Sequence, residues 1–376
     1  MAAANPSPRA SELPLVEVTG AAPGRVGSMA LPDEAYLTGL AAIPGVGPAT
    51  IRKELDERSA AQAWARRRSQ PGAPADLDAL WAHHQEAGVV VCSVQNPDYP
   101  AVMRDDPERP AVLFCRGDLS VLDRRRVAVV GTRNASRYGL GVAERIGERL
   151  GAAGVAVVSG LALGIDGAVH RGLLRSGGAP PVGVVACGLD VVYPGRHRDL
   201  WRRVGEEGLL VSEMPLGLRP TRWSFPARNR IIAGLSEAVV VVESRQKGGS
   251  LYTADSALLR DIPLLAVPGP ITSPAAHGTN RLIADGATPL CSVEDIFLTL
   301  GLNSPTGGAT SVPEPGGVAG RVLDACAHES ATLQALVDRS GLTLPEVAAA
   351  IDELCRTGWL AESAGRYEPS TPRRPD

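Results

Sequence analysis

Three short segments rich in glycine, serine and threonine follow apolar runs in the middle of the chain. Glycines let backbone N–H groups approach a ligand closely, the first turn of a helix presents unpaired donors with a partial positive charge, and hydroxyls add hydrogen bonds. Together they predict an anion site, most simply for phosphate; the alternative for each segment is a tight strand-to-helix turn without a ligand. The candidate residues are Gly131, Thr132, Arg133, Ser136, Arg137, Ser159, Gly160, Gly164, Lys247, Gly248, Gly249, Ser250 and Thr253.

A fourth segment, TRWSFPARNRIIAGLS at 221–236, combines basic and aromatic residues. Arginines reach phosphates and aromatic faces stack on bases, so this combination indicates a track for single-stranded nucleic acid. We expect the arginines of this segment to lie on a different helix face from the two isoleucines and to stay exposed. The alternative is an ordinary amphipathic helix with a solvated basic face. The candidate residues here are Trp223, Phe225, Arg228, Asn229 and Arg230.

The first loop, GTRNASRYG, does not fit a dinucleotide. It lacks the second and third glycines of G-x-G-x-x-G, and Arg133 occupies the position where a pyrophosphate would approach the backbone. The chain also has no G-x-x-x-x-G-K-[ST] loop, which argues against a P-loop ATPase. No cofactor is predicted.

An enzyme that processes a nucleotide phosphate is kept as the alternative function. The nucleotide hydrolases of the lysine-decarboxylase-like group, which include phosphoribohydrolases, carry P-G-G-x-G-T-x-x-E. The segment KGGSLYTAD keeps the glycines but lacks the G-T step and the glutamate. Asp166 and His170 form no obvious nucleophile–base pair in the sequence, so we predict a binding protein rather than an enzyme.

Strand-like and helix-like segments, which must position these residues, alternate regularly in the middle of the chain. Apolar runs rich in β-branched residues lie at 127–130, 155–158, 182–186, 208–211, 238–242 and 264–267, with helical patterns at 138–152, 166–176, 196–207, 227–235 and 252–260. Uninterrupted apolar runs are typical of strands buried on both faces, which predicts an α/β fold with a doubly wound, mostly parallel, extended Rossmann-like sheet. Ligands of such sheets bind at the carboxyl ends of the strands, where the three loops lie.

Composition narrows the class of protein. The 376 residues carry a net charge of −3, but residues 111–300 hold 22 basic against 17 acidic residues, a net charge of +5. The six cysteines have no C-x-x-C spacing and the six histidines form no metal pattern, which favours free thiols in a reducing cytoplasm and no metal. We find no signal-peptide core and no apolar run near 18 residues, and therefore predict a cytoplasmic protein without a membrane span.

The predicted organisation has three folded parts joined by linkers. IPGVG at 43–47 is typical of a helix-hairpin-helix, and three short helices with a hairpin at the end of the chain follow the winged-helix order. The predicted ranges are a disordered arm at 1–30, a helical domain at 31–65, a linker at 66–78, the core with a lead-in segment at 79–300, a linker at 301–317, a winged helix at 318–369 and a tail at 370–376.

Several motifs occur in a fixed order: VAVVGTRNASRYG, SGLALGIDGAVH, GLDVVYPGRH, SEMPLGLRP, FPARNRIIAGLS, and AVPGP through GTNRLIADGA. In this order they closely resemble the DNA-processing protein A family, also called DprA or Smf, over about residues 89–290. The resemblance implies a non-catalytic core that binds single-stranded DNA, protects incoming strands in natural transformation and helps to load the RecA recombinase. It also implies a homodimer formed through the core; a third hypothesis is that the core serves chiefly for dimerisation.

The resemblance implies that Arg133 and the segment Phe225, Arg228, Asn229 and Arg230 contact DNA, and that the loops at 160–166 and 247–253 support the same pocket. The chain departs from the family at Gly248, where the usual serine is missing and Lys247 precedes it. The N–H groups of the helix-hairpin-helix can contact a DNA phosphate, but its second helix has a mixed charged face that suits a structural or protein-contact role at least as well. The expected recognition helix of the winged helix is acidic, which favours protein contact or regulation.

Overall fold

The computed structural model describes residues 31–302, 315–326, 330–363 and 365–370. Two compact units divide the chain, Met1–Ser304 and Pro305–Asp376. The predicted arm at 1–30, most of the linker at 301–317 and most of the tail lie outside the described residues. Among the described residues, no helix combines the length and the apolar character needed to cross a bilayer.

Four helices open the first unit. The hairpin PGVG joins the first two as predicted, with Gly45 at a positive φ of 82° in the turn. The segment between the third and fourth helices spans only 68–76, shorter than the predicted linker, because Asp76 accepts the N–H of Ala79 and caps the fourth helix at 2.9 Å. The helices are α1 (Asp33–Ala42), α2 (Pro48–Glu57), α3 (Ala60–Arg67) and α4 (Leu77–Glu86).

A nine-stranded sheet forms the centre of this unit, in the order β1-β2-β6-β5-β4-β3-β7-β8-β9. Strands β3 to β9 run parallel, and the six predicted strands are confirmed as β3 to β8. Strands β1 and β2 add an antiparallel edge that the sequence patterns did not indicate. The strands are β1 (Val90–Ser93), β2 (Val112–Gly117), β3 (Arg126–Val130), β4 (Ala156–Ser159), β5 (Val182–Val185), β6 (Leu209–Ser212), β7 (Ala238–Val241), β8 (Leu264–Ala266) and β9 (Thr288–Pro289).

Helices cover both faces of the sheet. Alternate residues of β3 enter different cores: Val127 and Val129 pack with α5 and α6, whereas Ala128 and Val130 pack with α8 and α9. The strand is therefore apolar at every position, which explains the uninterrupted pattern. The helices are α5 (Arg137–Ala152), α6 (Ile165–Ser176), α7 (Arg198–Glu207), α8 (Ser224–Gly234), α9 (Leu251–Leu258), α10 (His277–Ala284) and α11 (Glu294–Thr299).

The second unit contains three helices and a three-stranded antiparallel sheet. The helices are α12 (Gly317–Cys326), α13 (Leu333–Ser340) and α14 (Leu344–Arg356), and the strands are β10 (Ala331–Thr332), β11 (Leu360–Ser363) and β12 (Arg366–Pro369). Val322, Leu336, Val347 and Leu354 form its core. The predicted helices and hairpin are present in order, and their assignment as a winged helix stays a prediction.

Candidate functional site

The loops that follow β3, β4 and β7 meet the start of α8 in one cleft, here called the sheet-edge cleft. Its volume is about 410 Å³. Most of the predicted site residues line it, which follows from the parallel strands ending at the same edge of the sheet. The predicted residues that line it are Gly131, Thr132, Arg133, Phe225, Arg228, Asn229, Lys247, Gly248, Gly249, Ser250 and Thr253.

Backbone contacts hold the three loops together. Thr132 N donates to Glu243 O at 2.8 Å, which joins the β3 loop to the β7 loop. Gly164, at φ +78°, brings the β4 loop against the β3 loop, since a Cβ atom there would lie 2.3 Å from Thr132 O. Only glycine permits this close approach, so Gly164 is required to keep the β4 loop against the β3 loop.

Arg133 and Phe225 stack at one wall of the cleft. Cζ of Arg133 lies 4.6 Å from the centroid of the Phe225 ring, and the Tyr193 ring centroid lies 5.7 Å from that of Phe225. Arg133 is exposed, so its guanidinium can also donate hydrogen bonds to an anion that enters the cleft. Behind the stack is a small pocket of about 50 Å³, whose lining includes Gly160 and Arg228.

Arg228 lies between the cleft and the small pocket. Its Nη1 donates to Val184 O at 2.9 Å, and its Nε is buried with no partner among the described residues. Gly160 makes room for the guanidinium, because a Cβ atom at Gly160 would lie 1.5 Å from Nη1 of Arg228. Burial raises the pKa of Asp166, and the charge of Arg228 opposes that rise. Arg228 thus shapes the wall of the cleft.

The expectation that the arginines of α8 stay exposed is wrong. Arg228 is 7% and Arg230 8% exposed, because α8 is covered on several sides. Arg228 precedes Ile231 and Ile232 by three and four residues, so it lies on their face of the helix rather than opposite to it. Arg230 Nη2 donates to both carboxylate oxygens of Glu213 at 2.6 Å, and Nη1 donates to Glu108 O. These bonds hold Arg230 outside the lining of the sheet-edge cleft, and we propose structural support rather than DNA contact as its role.

Other predicted residues also serve the scaffold. Ser136 caps α5 by accepting the N–H of Gly139 at 3.0 Å and donates to Glu243, and the buried Ser159 donates to Val129 O at 2.6 Å. Asn229, although it lines the cleft, donates to Gly249 O at 3.0 Å and so anchors the β7 loop. Ser136, Arg137, Ser159 and Gly164 are not in the lining of the cleft, Gly160 lines the small pocket, and Trp223 lines a separate groove.

Four residues outside the predicted set complete the site. Arg222, Arg245 and Tyr252 line the cleft, and Tyr193 packs on Phe225. Arg222 and Arg245 adjoin predicted positions, so their charge was the available signal. Tyr252 lies within the 247–253 loop that the resemblance places at the pocket, whereas nothing in the sequence marked Tyr193, which the fold brings to the site.

The lining is strongly basic. It contains four arginines and one lysine, with Asp166 as its acidic residue. The fold and the cleft define the class: an α/β protein with a mostly parallel sheet, whose carboxyl edge carries a basic cleft lined by glycine-rich loops and aromatic side chains.

The family follows from sequence comparison. The family model described as DNA recombination-mediator protein A matches residues 90–301, more than half of the chain. The chain belongs to this family.

Relatives and solved structures agree with the assignment. The chain is 39% identical to the DNA processing protein DprA of Bacillus subtilis over 222 residues, 59% of this chain and 74% of that protein. It is 36% identical to Protein Smf of Escherichia coli over 283 residues, 72% of this chain and 74% of that protein.

The X-ray structure of DprA from Streptococcus pneumoniae is similar with a TM-score of 0.60 and 30% identity, covering 72% of this chain and 98% of that chain. A DprA structure from Helicobacter pylori, described for its single-stranded DNA binding mode, has a TM-score of 0.51 and 29% identity over 56% of this chain and 95% of that chain.

Proposed function

We propose that this protein binds single-stranded DNA in the sheet-edge cleft with little sequence preference. The observation that carries the proposal is the stack of Arg133 on Phe225 within a lining of five basic side chains and one acidic side chain. A single strand offers both phosphates for the cations and unpaired bases for the rings. The Helicobacter pylori relative, described as a single-stranded DNA binder, supports the same ligand class.

The proposed contacts with DNA are of two kinds, contacts with phosphates and stacking on bases. Phosphates meet the exposed side chains of Arg133, Arg222, Arg245 and Lys247, together with N–H groups of the glycine loops. Bases stack on Phe225 and on Tyr252, which is largely exposed at the start of α9. None of these contacts reads the edge of a base, so binding depends on charge and stacking rather than on sequence.

We further propose that the bound strand is protected and passed to the RecA recombinase in natural transformation or general recombination. Membership of the recombination-mediator family supports this step. A homodimer through the core is part of the same proposal. On the exposed side of α14, Glu346, Asp352 and Glu353 would repel DNA phosphates, which favours protein contact for the C-terminal unit.

The alternative function is an enzyme acting on a nucleotide phosphate in the same cleft. Burial lowers the pKa of His170 to about 3, and its fully enclosed ring has no route to a ligand in the cleft. Asp166 Oδ2 accepts the N–H groups of Gly160 and Ala162 at 3.1 and 3.4 Å and so braces the β4 loop. Release of base from nucleoside monophosphates, lost in Asp166→Asn, would support the enzyme instead.

Fluorescence anisotropy with a labelled oligonucleotide, single-stranded and as a duplex, tests the binding function at two salt concentrations. We expect tighter binding of the single strand, similar affinity for different base compositions, and a log–log salt slope of about −0.7 per neutralised phosphate. Equal or tighter binding of the duplex, or affinity that ignores salt, would overturn the proposal.

A further inference from the structure

A second cavity lies between the N-terminal hairpin and the core, and the contacts proposed above leave it unused. We call it the hairpin groove; its volume is about 580 Å³. Residues 41–52 of the α1–α2 hairpin form one wall, and the segment from the end of β6 into α8 forms the other. Its lining is mainly apolar and includes Ile43, Val46, Ile51, Met214, Leu218 and Trp223. Such a groove suits a flat, largely apolar group.

The charged residues of the groove leave a positive excess. Three arginines and one glutamate line it, and Arg230 already neutralises Glu213 with two hydrogen bonds of 2.6 Å. Burial raises the pKa of Glu213 and the charges of Arg230 and Arg52 oppose that rise, but neither Arg52 nor Arg219 forms an ion pair among the described residues. Nη1 of Arg52 is buried and has no hydrogen-bond partner in the described part of the chain. Because an unpaired buried donor is unfavourable, an anionic group beside Arg52 would supply the missing acceptor.

The start of α8 connects this groove to the sheet-edge cleft. Arg222 lines the cleft, and the next residue, Trp223, lines the groove with 52% of its surface exposed. Further along α8, Phe225 and Arg228 face the cleft whereas Ala227 and Arg230 face the groove. The first turn of α8 is therefore a ridge between the two cavities, and a strand that leaves the cleft across this ridge meets Trp223 first.

We propose that the hairpin groove is a second nucleic-acid subsite, which receives the part of a single strand adjacent to the nucleotides in the sheet-edge cleft. Trp223 stacks on a base, and Arg52 and Arg219 meet its phosphate. A nucleotide carries a flat ring and an anion in one unit, which matches the apolar lining and the two arginines. The inference rests on the proposed function and assigns the α1–α2 hairpin a direct role in binding.

The test uses the full chain and oligothymidylates lengthened one nucleotide at a time, with affinity measured by anisotropy. The Trp223→Ala variant should bind oligonucleotides that fill only the sheet-edge cleft with the same affinity as wild type. Above a threshold length, wild type should gain about tenfold in affinity and Trp223→Ala should not. Trp223→Phe, which keeps a stacking ring, should retain most of the gain. Arg52→Gln should make the salt slope less negative by about 0.7, again only above the threshold.

Arg202→Gln is the matched control, because Arg202 is exposed on α7, pairs with Glu206 at 2.6 Å and lines neither cavity. Arg133→Ala should weaken binding at every length. If Arg133→Ala is weakened but Trp223→Ala and Arg52→Gln follow wild type at every length, the groove inference is overturned and the proposed function stands. If Arg133→Ala binds like wild type, the proposed function and the groove inference both fail.

Discussion

Arg133 and Arg228 line the same cleft in opposite environments. Arg133 is exposed and stacks on Phe225, whereas Arg228 is buried, donates to Val184 O and is held against Gly160. An exposed guanidinium can neutralise a phosphate that arrives from solvent, and a buried one mainly fixes the wall it belongs to. We therefore propose that Arg133 contacts a phosphate and that Arg228 keeps the wall of the cleft in place.

Replacing Phe225 should separate stacking from charge. Phe225→Ala removes both the ring beneath Arg133 and a surface for a base, and we expect the affinity for single-stranded DNA to fall about tenfold. Anisotropy measures the change. Tyr138→Ala is the matched control, since Tyr138 is an exposed aromatic residue of α5 outside the cleft lining. Unchanged affinity in Phe225→Ala would show that the Phe225 ring does not contribute to the binding of single-stranded DNA.

His170 should make the folded state sensitive to acid. Burial lowers the pKa of His170 from 6.5 to about 3, so the unfolded chain binds a proton that the folded protein does not. This contribution to the free energy of unfolding is fully present above pH 6.5, the pKa of His170 in the unfolded chain. It is lost progressively as the pH falls below that value. Between pH 7 and pH 5 the free energy of unfolding should drop by about 2 kcal/mol from this residue.

Urea unfolding at both pH values measures this contribution, with His170→Met as the comparison. The variant removes the titrating ring while keeping a side chain that fills the site, and its pH dependence should be smaller by the same amount. An identical pH dependence in both proteins would show that His170 does not carry the effect.

At the scale of elements, the close packing of α5 on α6 positions two of the loops. A Cβ atom at Gly147 of α5 would lie 2.2 Å from Val169 O of α6. Gly147→Ala should therefore destabilise the fold by about 1–3 kcal/mol, because the helices must move apart. Urea unfolding measures the loss. At Gly141 of the same helix a Cβ atom meets nothing within 4 Å, and Gly141→Ala should stabilise by about 0.5–1 kcal/mol. Equal effects at both glycines would contradict this packing.

The parallel strands and their helices were predictable from sequence because burial on both faces leaves a simple apolar pattern. The burial of the arginines of α8 was not predictable from the sequence. Arg228 and Arg230 look like solvent-facing residues in the sequence, but Val184 O, Glu213 and Glu108 O supply their partners. These partners lie 17 to 122 positions away along the chain. Local pattern cannot show that a charged residue is satisfied inside the fold.

At the scale of the molecule, charge is segregated. The whole chain is slightly acidic at −3, yet the lining of the cleft has five basic side chains and one acidic one. Total charge therefore does not indicate the ligand, and the local distribution does. Sequence alone predicted that the three loops lie together with Arg133, since strand ends at one edge must meet, and the structure brings them into one cleft. The sequence also placed Trp223 in this cleft, because a sequence pattern cannot show that the consecutive residues Arg222 and Trp223 line two different cavities.

We propose above all that Arg133 neutralises a phosphate of a single strand in the sheet-edge cleft. The direct test is a salt series of oligothymidylate binding to wild type, Arg133→Ala and the control Arg202→Gln. Arg133→Ala should lose about tenfold in affinity at moderate salt, with a log–log slope less negative by about 0.7, and the control should match wild type. The same affinity and the same slope in wild type and Arg133→Ala would contradict the account.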